Sequence, residues 1–120
     1  MAQHNELGNL GEELATQFLL REGYTILDRN WVFQKAEVDI IAQKEEDTVV
    51  FIEVKTRNSA FFGDPQSFVT PAKIKLLVKA ANEYLITNEL HKEARFDIIA
   101  VLKNSKEERI EHFENAFYHF

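Results

Sequence analysis

Apolar residues recur at three- and four-residue steps early in the chain, at Leu7, Leu10, Leu14 and Phe18, with Leu19 beside them. Glu12, Glu13 and Gln17 fall elsewhere on the wheel, so the spacing predicts an amphipathic helix over 7–22. Gly23 stands where a left-handed C-terminal cap belongs, and Arg21 suits the negative end of the helix dipole. The period then shortens. Residues 24–31 are aromatic and branched enough for a strand, and two further strands are expected over 37–43 and 48–57. The polar turn Lys44-Glu45-Glu46-Asp47 joins the last two as an antiparallel hairpin.

Residues 58–69, with Gly63 and Pro65, read as a loop. Thr70-Pro71 forms an N-cap followed by proline at the first helical position, where its missing N–H does no harm. The helix is expected to run to about Leu90, burying Ile74, Leu77, Val78, Ala81 and Leu85 while Lys73, Lys75 and Lys79 project away. Residues 95–103 have the continuous apolar centre Ile98-Ile99-Ala100-Val101, which suits a strand buried on both faces. The tail, 109–120, is compatible with a short helix but is read as a strand. The order helix, three strands, helix, strand and a last strand describes a single α/β domain over 1–120.

Composition removes several alternatives. The chain has 120 residues, no Cys and ten Phe, so a disulfide framework, a thiolate zinc site and a disordered chain are not expected. No apolar run approaches the roughly 18 residues of a membrane span, and the N-terminus is too polar for a signal peptide. A cytoplasmic protein without a membrane partner is the expectation. The net charge of −6 speaks against a general nucleic-acid binder, yet it is unevenly spread. From Lys55 to Asn82 five bases (Lys55, Arg57, Lys73, Lys75, Lys79) meet one acid, Asp64, a balance of +4 that leaves −10 on the rest. Such an island suits a phosphate backbone, although charge alone favours a solvated lysine-rich helix face.

The chemistry concentrates in two strands. Side chains alternate along a strand, so Glu37 and Asp39 are expected on one face of the first, and Glu53 and Lys55 on one face of the second. Interior strand positions seldom hold charges without partners. A cross-strand ion pair between Lys55 and Asp39 or Glu53 is one explanation. A hard-metal site is the other, because Mg²⁺ takes oxygen ligands and keeps several waters, with a lysine placed to act on one of them. Spacing leaves both open. The four His (His4, His91, His112, His119) are scattered, so no His-based zinc site is expected. Trp31 and Phe33 are read as packing the sheet, and Phe61-Phe62 as a loop anchor or part of a dimer interface.

Asp39, thirteen intervening residues, then Glu53-Val54-Lys55 resembles the D-x(n)-(D/E)-x-K signature of the restriction-endonuclease-like nuclease superfamily. Five blocks in order more specifically resemble the YraN-like bacterial family, itself similar to archaeal Holliday junction resolvases. They are Gly11-Glu12-Glu13-Leu14-Ala15, Gly23-Tyr24, the run from Ala36 to Ala42, the run from Phe51 to Arg57, and Arg95-Phe96-Asp97-Ile98. The resemblance implies a restriction-endonuclease-like core, a mixed sheet flanked by helices. It further implies a metal-dependent nuclease hydrolysing DNA phosphodiester bonds, branched or repair-related DNA included, with RNA open as a substrate. Mg²⁺ or Mn²⁺ would be held by Asp39, Glu53 and the Val54 carbonyl, with Glu12 reaching the same cluster and Glu37 as a further ligand. Lys55 would orient the attacking water. The cationic island would bring Arg57, Lys73, Lys75 and Lys79 to the nucleic acid, with Lys73 also matching a family lysine, and in so short a chain a homodimer would extend the contact surface. Ala36 stands where the family usually has glycine, and Val38 where the superfamily usually has proline. The competing implication is a nucleic-acid-binding or protein-interaction module on a nuclease scaffold whose site is slow or silent.

Overall fold

The apolar stripe at the start of the chain forms helix α1, Glu6–Arg21, and Gly23 ends it at φ 93°. There the Gly23 and Tyr24 N–H groups return to the carbonyls of Leu20 and Leu19. The computed structural model describes residues 6–59 and 69–116. Strand β1, Thr25–Phe33, runs two residues beyond its expected end and turns through Gln34-Lys35 into β2, Ala36–Gln43. Gln34 takes the positive φ of 54° that so tight a reversal demands. The residues 44–47 make the expected second hairpin to β3, Thr48–Arg57. Helix α2, Pro71–Thr87, then crosses over to β4, Glu93–Lys103, which lies parallel to β3, and β5, Glu108–Phe113, adds antiparallel at the far edge.

The five strands form one mixed sheet in the order β1-β2-β3-β4-β5, with a helix on each face. Ala15 and Leu19 of α1 pack on Ile40, Ala42, Val50, Ile52, Ile99 and Val101. Leu77, Ala80, Ala81 and Tyr84 of α2 pack on Ile41, Phe51, Phe96 and Ile98. As its apolar run required, β4 is buried on both faces from Phe96 to Leu102. None of the described helices is long and apolar enough to cross a membrane.

Two details correct the sequence reading. Helix α2 ends at Thr87, not near Leu90, because Asn88 caps it and Glu89 turns left-handed at φ 54°. Its buried stripe is also rotated toward Ala80 and Tyr84, with Ile74, Val78 and Leu85 half-buried at the margin. Tyr84 fits in the core because its hydroxyl donates to Asp28 on β1 at 2.8 Å while its ring meets Trp31 and Phe51 edge-on. Ala36, where the family usually has glycine, has an ordinary backbone without positive φ, so nothing there calls for glycine. Phe61-Phe62, Gly63 and Pro65 lie outside the described residues, as do 117–120 of the expected last strand.

One charge enters the core away from the sheet's forked end. Asp97 on β4 is fully buried and takes four hydrogen bonds. Arg95 supplies two at 3.0 and 2.8 Å, the His112 ring one at 2.7 Å and the Asn115 N–H one at 2.9 Å. Burial alone would raise its pKa, but these donors and the guanidinium charge outweigh burial and hold it below the ordinary carboxylate value. The cluster fastens β5 and the segment after it to β4.

Candidate active site

The antiparallel ladder between β2 and β3 closes at Ile40↔Ile52. The next pair in that register would be Asp39 opposite Glu53, and there the strands part. Alternation along β2 slips at the same place. Val38 and Ile41 both join the apolar cluster under α2, whereas Ile40 and Ala42 join the one under α1. Asp39 therefore sits at a change of face, and its carboxylate turns into the fork, where it accepts the Val54 N–H at 2.8 Å. The fork opens into a cleft of about 400 Å³.

Four elements supply its walls. Glu12 comes from α1, Glu37 and Asp39 from β2, the stretch from Glu53 to Arg57 from β3, and Lys73 from α2. Glu12, Asp39 and Glu53 are buried, at 6, 9 and 6% exposure. Gly11 explains how a helical glutamate reaches so deep. A Cβ at Gly11 would stand 1.8 Å from Thr56 Oγ1, so the bare backbone lets α1 press against β3 beside the fork.

Glu53 Oε2 is bracketed by two ammonium groups, Lys73 at 2.6 Å and Lys55 at 3.4 Å. The ion pair between Lys55 and Glu53 is thus present, together with a second one that the helical wheel did not suggest. Asp39 is pushed up to about 8: burial is the main cause, and the nearby Glu53 and Glu12 charges add to it. The Val54 N–H and Lys73 oppose that rise without cancelling it. Every buried side-chain nitrogen and oxygen among the described residues has a hydrogen-bond partner.

The expected site residues do not all meet. Glu12, Glu37, Asp39, Glu53, Val54, Lys55, Arg57 and Lys73 line the cleft, whereas Lys75 and Lys79 do not. Both are exposed on α2, and Lys75 lies about 200° around the helix from Lys73. Lys73 itself does not project away with them but turns into the fork. Lys35, in the turn between β1 and β2, lines the cleft and was missed. Its position two residues before Glu37 was the available signal. The stacking of Trp31 on Phe33, at 6.2 Å between centroids, agrees with their reading as sheet-packing residues.

The profile of the family described as "Uncharacterised protein family UPF0102" matches residues 11–101. The chain belongs to this family, the YraN-like group. A UPF0102 protein of Flavobacterium psychrophilum is 65% identical over 120 residues, the full length of both chains. One of Bacteroides thetaiotaomicron is 43% identical, covering 98% of this chain and 97% of its own. Among solved structures, Pyrococcus furiosus SfsA in complex with Ca²⁺ is similar at a TM-score of 0.39 and 16% identity, over 90% of this chain and 62% of that one. The family match spans the cleft from Gly11 to Lys73 and continues through the buried Asp97.

Proposed function

We propose that the fork between β2 and β3 is a divalent-metal-dependent phosphodiesterase site acting on DNA, branched or repair-related DNA included. The carrying observation is the convergence of Glu12, Asp39, Glu53 and Lys55, from three separate elements, on one cleft. The element order and the D-x(n)-E-x-K spacing support a restriction-endonuclease-like core.

The donor set suits a hard cation. Its buried groups are carboxylates: burial first, and the Glu53 and Glu12 charges after it, raise the Asp39 pKa, and a cation would favour the ionised form. Among the described residues no three His, Asp or Glu side chains form a ready-made cage. Mg²⁺ does not need one, since it keeps several waters and takes one or two carboxylates. Asp39 and Glu53 would hold Mg²⁺ or Mn²⁺ with the Val54 carbonyl, and Glu12 and Glu37, which line the same cleft, would meet the waters the ion keeps. The ion would supply Lewis-acid stabilisation of charge on the phosphoryl oxygens and a nucleophile at neutral pH. Lys55, held on rigid β3 within 3.4 Å of Glu53, would orient the attacking water and offset charge at the phosphorus. Arg57 and Lys35 at the cleft mouth would grip flanking phosphates. A two-fold dimer would offer two such clefts to two strands.

The test is a cleavage panel of single-stranded, duplex, flap and four-way-junction DNA, with RNA alongside, in Mg²⁺ or Mn²⁺. Metal-dependent cleavage of at least one DNA, lost in Asp39→Asn, is the expected result. Binding without cleavage on every substrate would leave the chain a nucleic-acid-binding module on a nuclease scaffold.

A further inference from the structure

Lys73 forms a close ion pair in the cleft, 2.6 Å from Glu53 Oε2, and it does so from a different layer of the fold. Lys55 reaches the same oxygen from Glu53's own strand, so its stem is held by β3. Lys73 belongs to the first turn of α2, just inside the Thr70 cap, and its side chain is 39% exposed. It can therefore swing toward solvent without disturbing the core beneath α2. The Glu53 side chain, at 6% exposure, cannot follow it.

We infer that Lys73 is an exchangeable counter-charge: it holds Glu53 while the cleft lacks a dication, and turns to a DNA phosphate when Glu53 is given up to one. This rests on the reading of the cleft as a divalent-metal site. A buried carboxylate needs a partner at all times. A dication on Glu53 would be repelled by an ammonium 2.6 Å from one oxygen of the same carboxylate, so metal binding favours release of the more exposed Lys73 over Lys55, whose stem β3 holds. The released ammonium remains in the cleft that Arg57 and Lys35 also line, beside the positive end of α2, where a phosphate is the natural new partner. Because one lysine serves both ligands in turn, metal and DNA binding are linked, each raising the affinity for the other. Lys73 is thus a positioning residue.

The test is calorimetric Mn²⁺ titration of the full chain, stripped of metal, as wild type, Lys73→Met, Lys73→Arg and Lys92→Met. Lys92 lies at the opposite end of the sheet and controls for net charge. Lys73→Met should bind Mn²⁺ about three- to tenfold more tightly, as expected when a competing, half-exposed ion pair is removed, with the other two within about twofold of wild type. Anisotropy with a short duplex, in Ca²⁺ or in EDTA at matched ionic strength, should show the dication favouring DNA binding in wild type, and that advantage lost in Lys73→Met. Equal or weaker Mn²⁺ binding by Lys73→Met, with wild type binding normally, overturns the exchange and leaves the metal site standing. A wild-type protein that takes up no Mn²⁺ overturns both. Should Lys73→Met fail to fold, Lys73→Gln replaces it in the same titrations with the same expected and overturning results.

Discussion

Val54 donates its backbone N–H to Asp39 Oδ2 at 2.8 Å, so the ladder that stops at Ile40 is continued by a side chain. That bond fixes the carboxylate at the mouth of the fork and also opposes its protonation. It does not outweigh burial and the two neighbouring acids. A stability cost built into the metal-free protein follows.

Asp39→Asn keeps an oxygen for the Val54 N–H but removes the buried charge. In EDTA at pH 8 it should stabilise the protein by about 1–3 kcal/mol, the range for relieving a poorly compensated buried charge. Added Mg²⁺ or Mn²⁺ should raise the melting temperature of wild type and not of this variant, because an amide is a poorer ligand for a hard dication. Thermal melts with and without metal measure both. A variant less stable than wild type in EDTA would mean that the acids of the cleft do not repel.

Gly11→Ala should destabilise the fold by about 1–3 kcal/mol, as overpacking does, despite alanine's better helix propensity. A new Cβ would meet Thr56 at 1.8 Å from Oγ1 and 2.8 Å from Cβ, so a change of rotamer cannot clear it. Since Gly11 adjoins Glu12, metal affinity should weaken as well. Adding Thr56→Ala removes the nearer contact and should restore part of the loss in urea melts. Full wild-type stability of the single variant would show that α1 has room to move.

Much of this frame was legible in the chain, and the exceptions share a cause. Period and capping placed α1, the hairpin between β2 and β3, and β4, because these depend on neighbours in sequence. The acids and Lys55 were legible through strand spacing. What escaped depends on partners distant in the chain. The helical wheel turns Lys73 away from the apolar stripe and its charge suggests a phosphate contact, but neither registers a carboxylate 20 residues earlier. Tyr84 was left out of the core because its hydroxyl partner, Asp28, is 56 residues away. Alternation along β2 predicted a shared face for Glu37 and Asp39, but the slip between Val38 and Ile41 occurs where the ladder opens. His112, unremarkable by spacing, joins Asp97 only because β5 folds back on β4.

Asp97 governs behaviour in acid. Its pKa is depressed in the folded chain, so the stability it contributes is present above the unfolded carboxylate value of 3.8 and is lost as pH falls through the folded one. Asp97→Asn places an amide N–H₂ among donors from Arg95, His112 and Asn115. It should cost about 3–5 kcal/mol at pH 7, the usual penalty for breaking a buried ion pair, and less at pH 3. Denaturant melts across that range would decide it. A cost independent of pH would assign the loss to packing instead of charge.

Salt dependence separates the cleft bases from those on the outer face of α2. Arg57→Ala should reduce the slope of log affinity against log salt by about 0.9 for duplex DNA, one phosphate contact's worth. Lys75→Ala with Lys79→Ala should change it little, since neither residue lines the cleft. Anisotropy titrations over a range of monovalent salt give both slopes. A larger change in the double variant would place the DNA across α2.

Lys55 separates a catalytic reading from a plain ion pair. Its ammonium lies 3.4 Å from the Glu53 oxygen that Lys73 already holds at 2.6 Å, so Glu53 keeps a partner without it. Lys55→Met retains much of the stem's packing and removes one positive charge beside the metal ligands. Metal affinity should therefore hold or rise. Cleavage should fall by about 10² to 10⁴, the range for losing a positioned proton-transfer group. Arginine at the same place keeps the charge but spreads it over a wider planar fork that cannot take the compact position of an ammonium, so Lys55→Arg should bind DNA normally and still cleave poorly. Mn²⁺ calorimetry beside a plasmid or junction cleavage assay measures both quantities on the same preparations. Wild-type cleavage by Lys55→Met would reduce Lys55 to the ion-pair role, and the nuclease reading would then rest on the carboxylates alone.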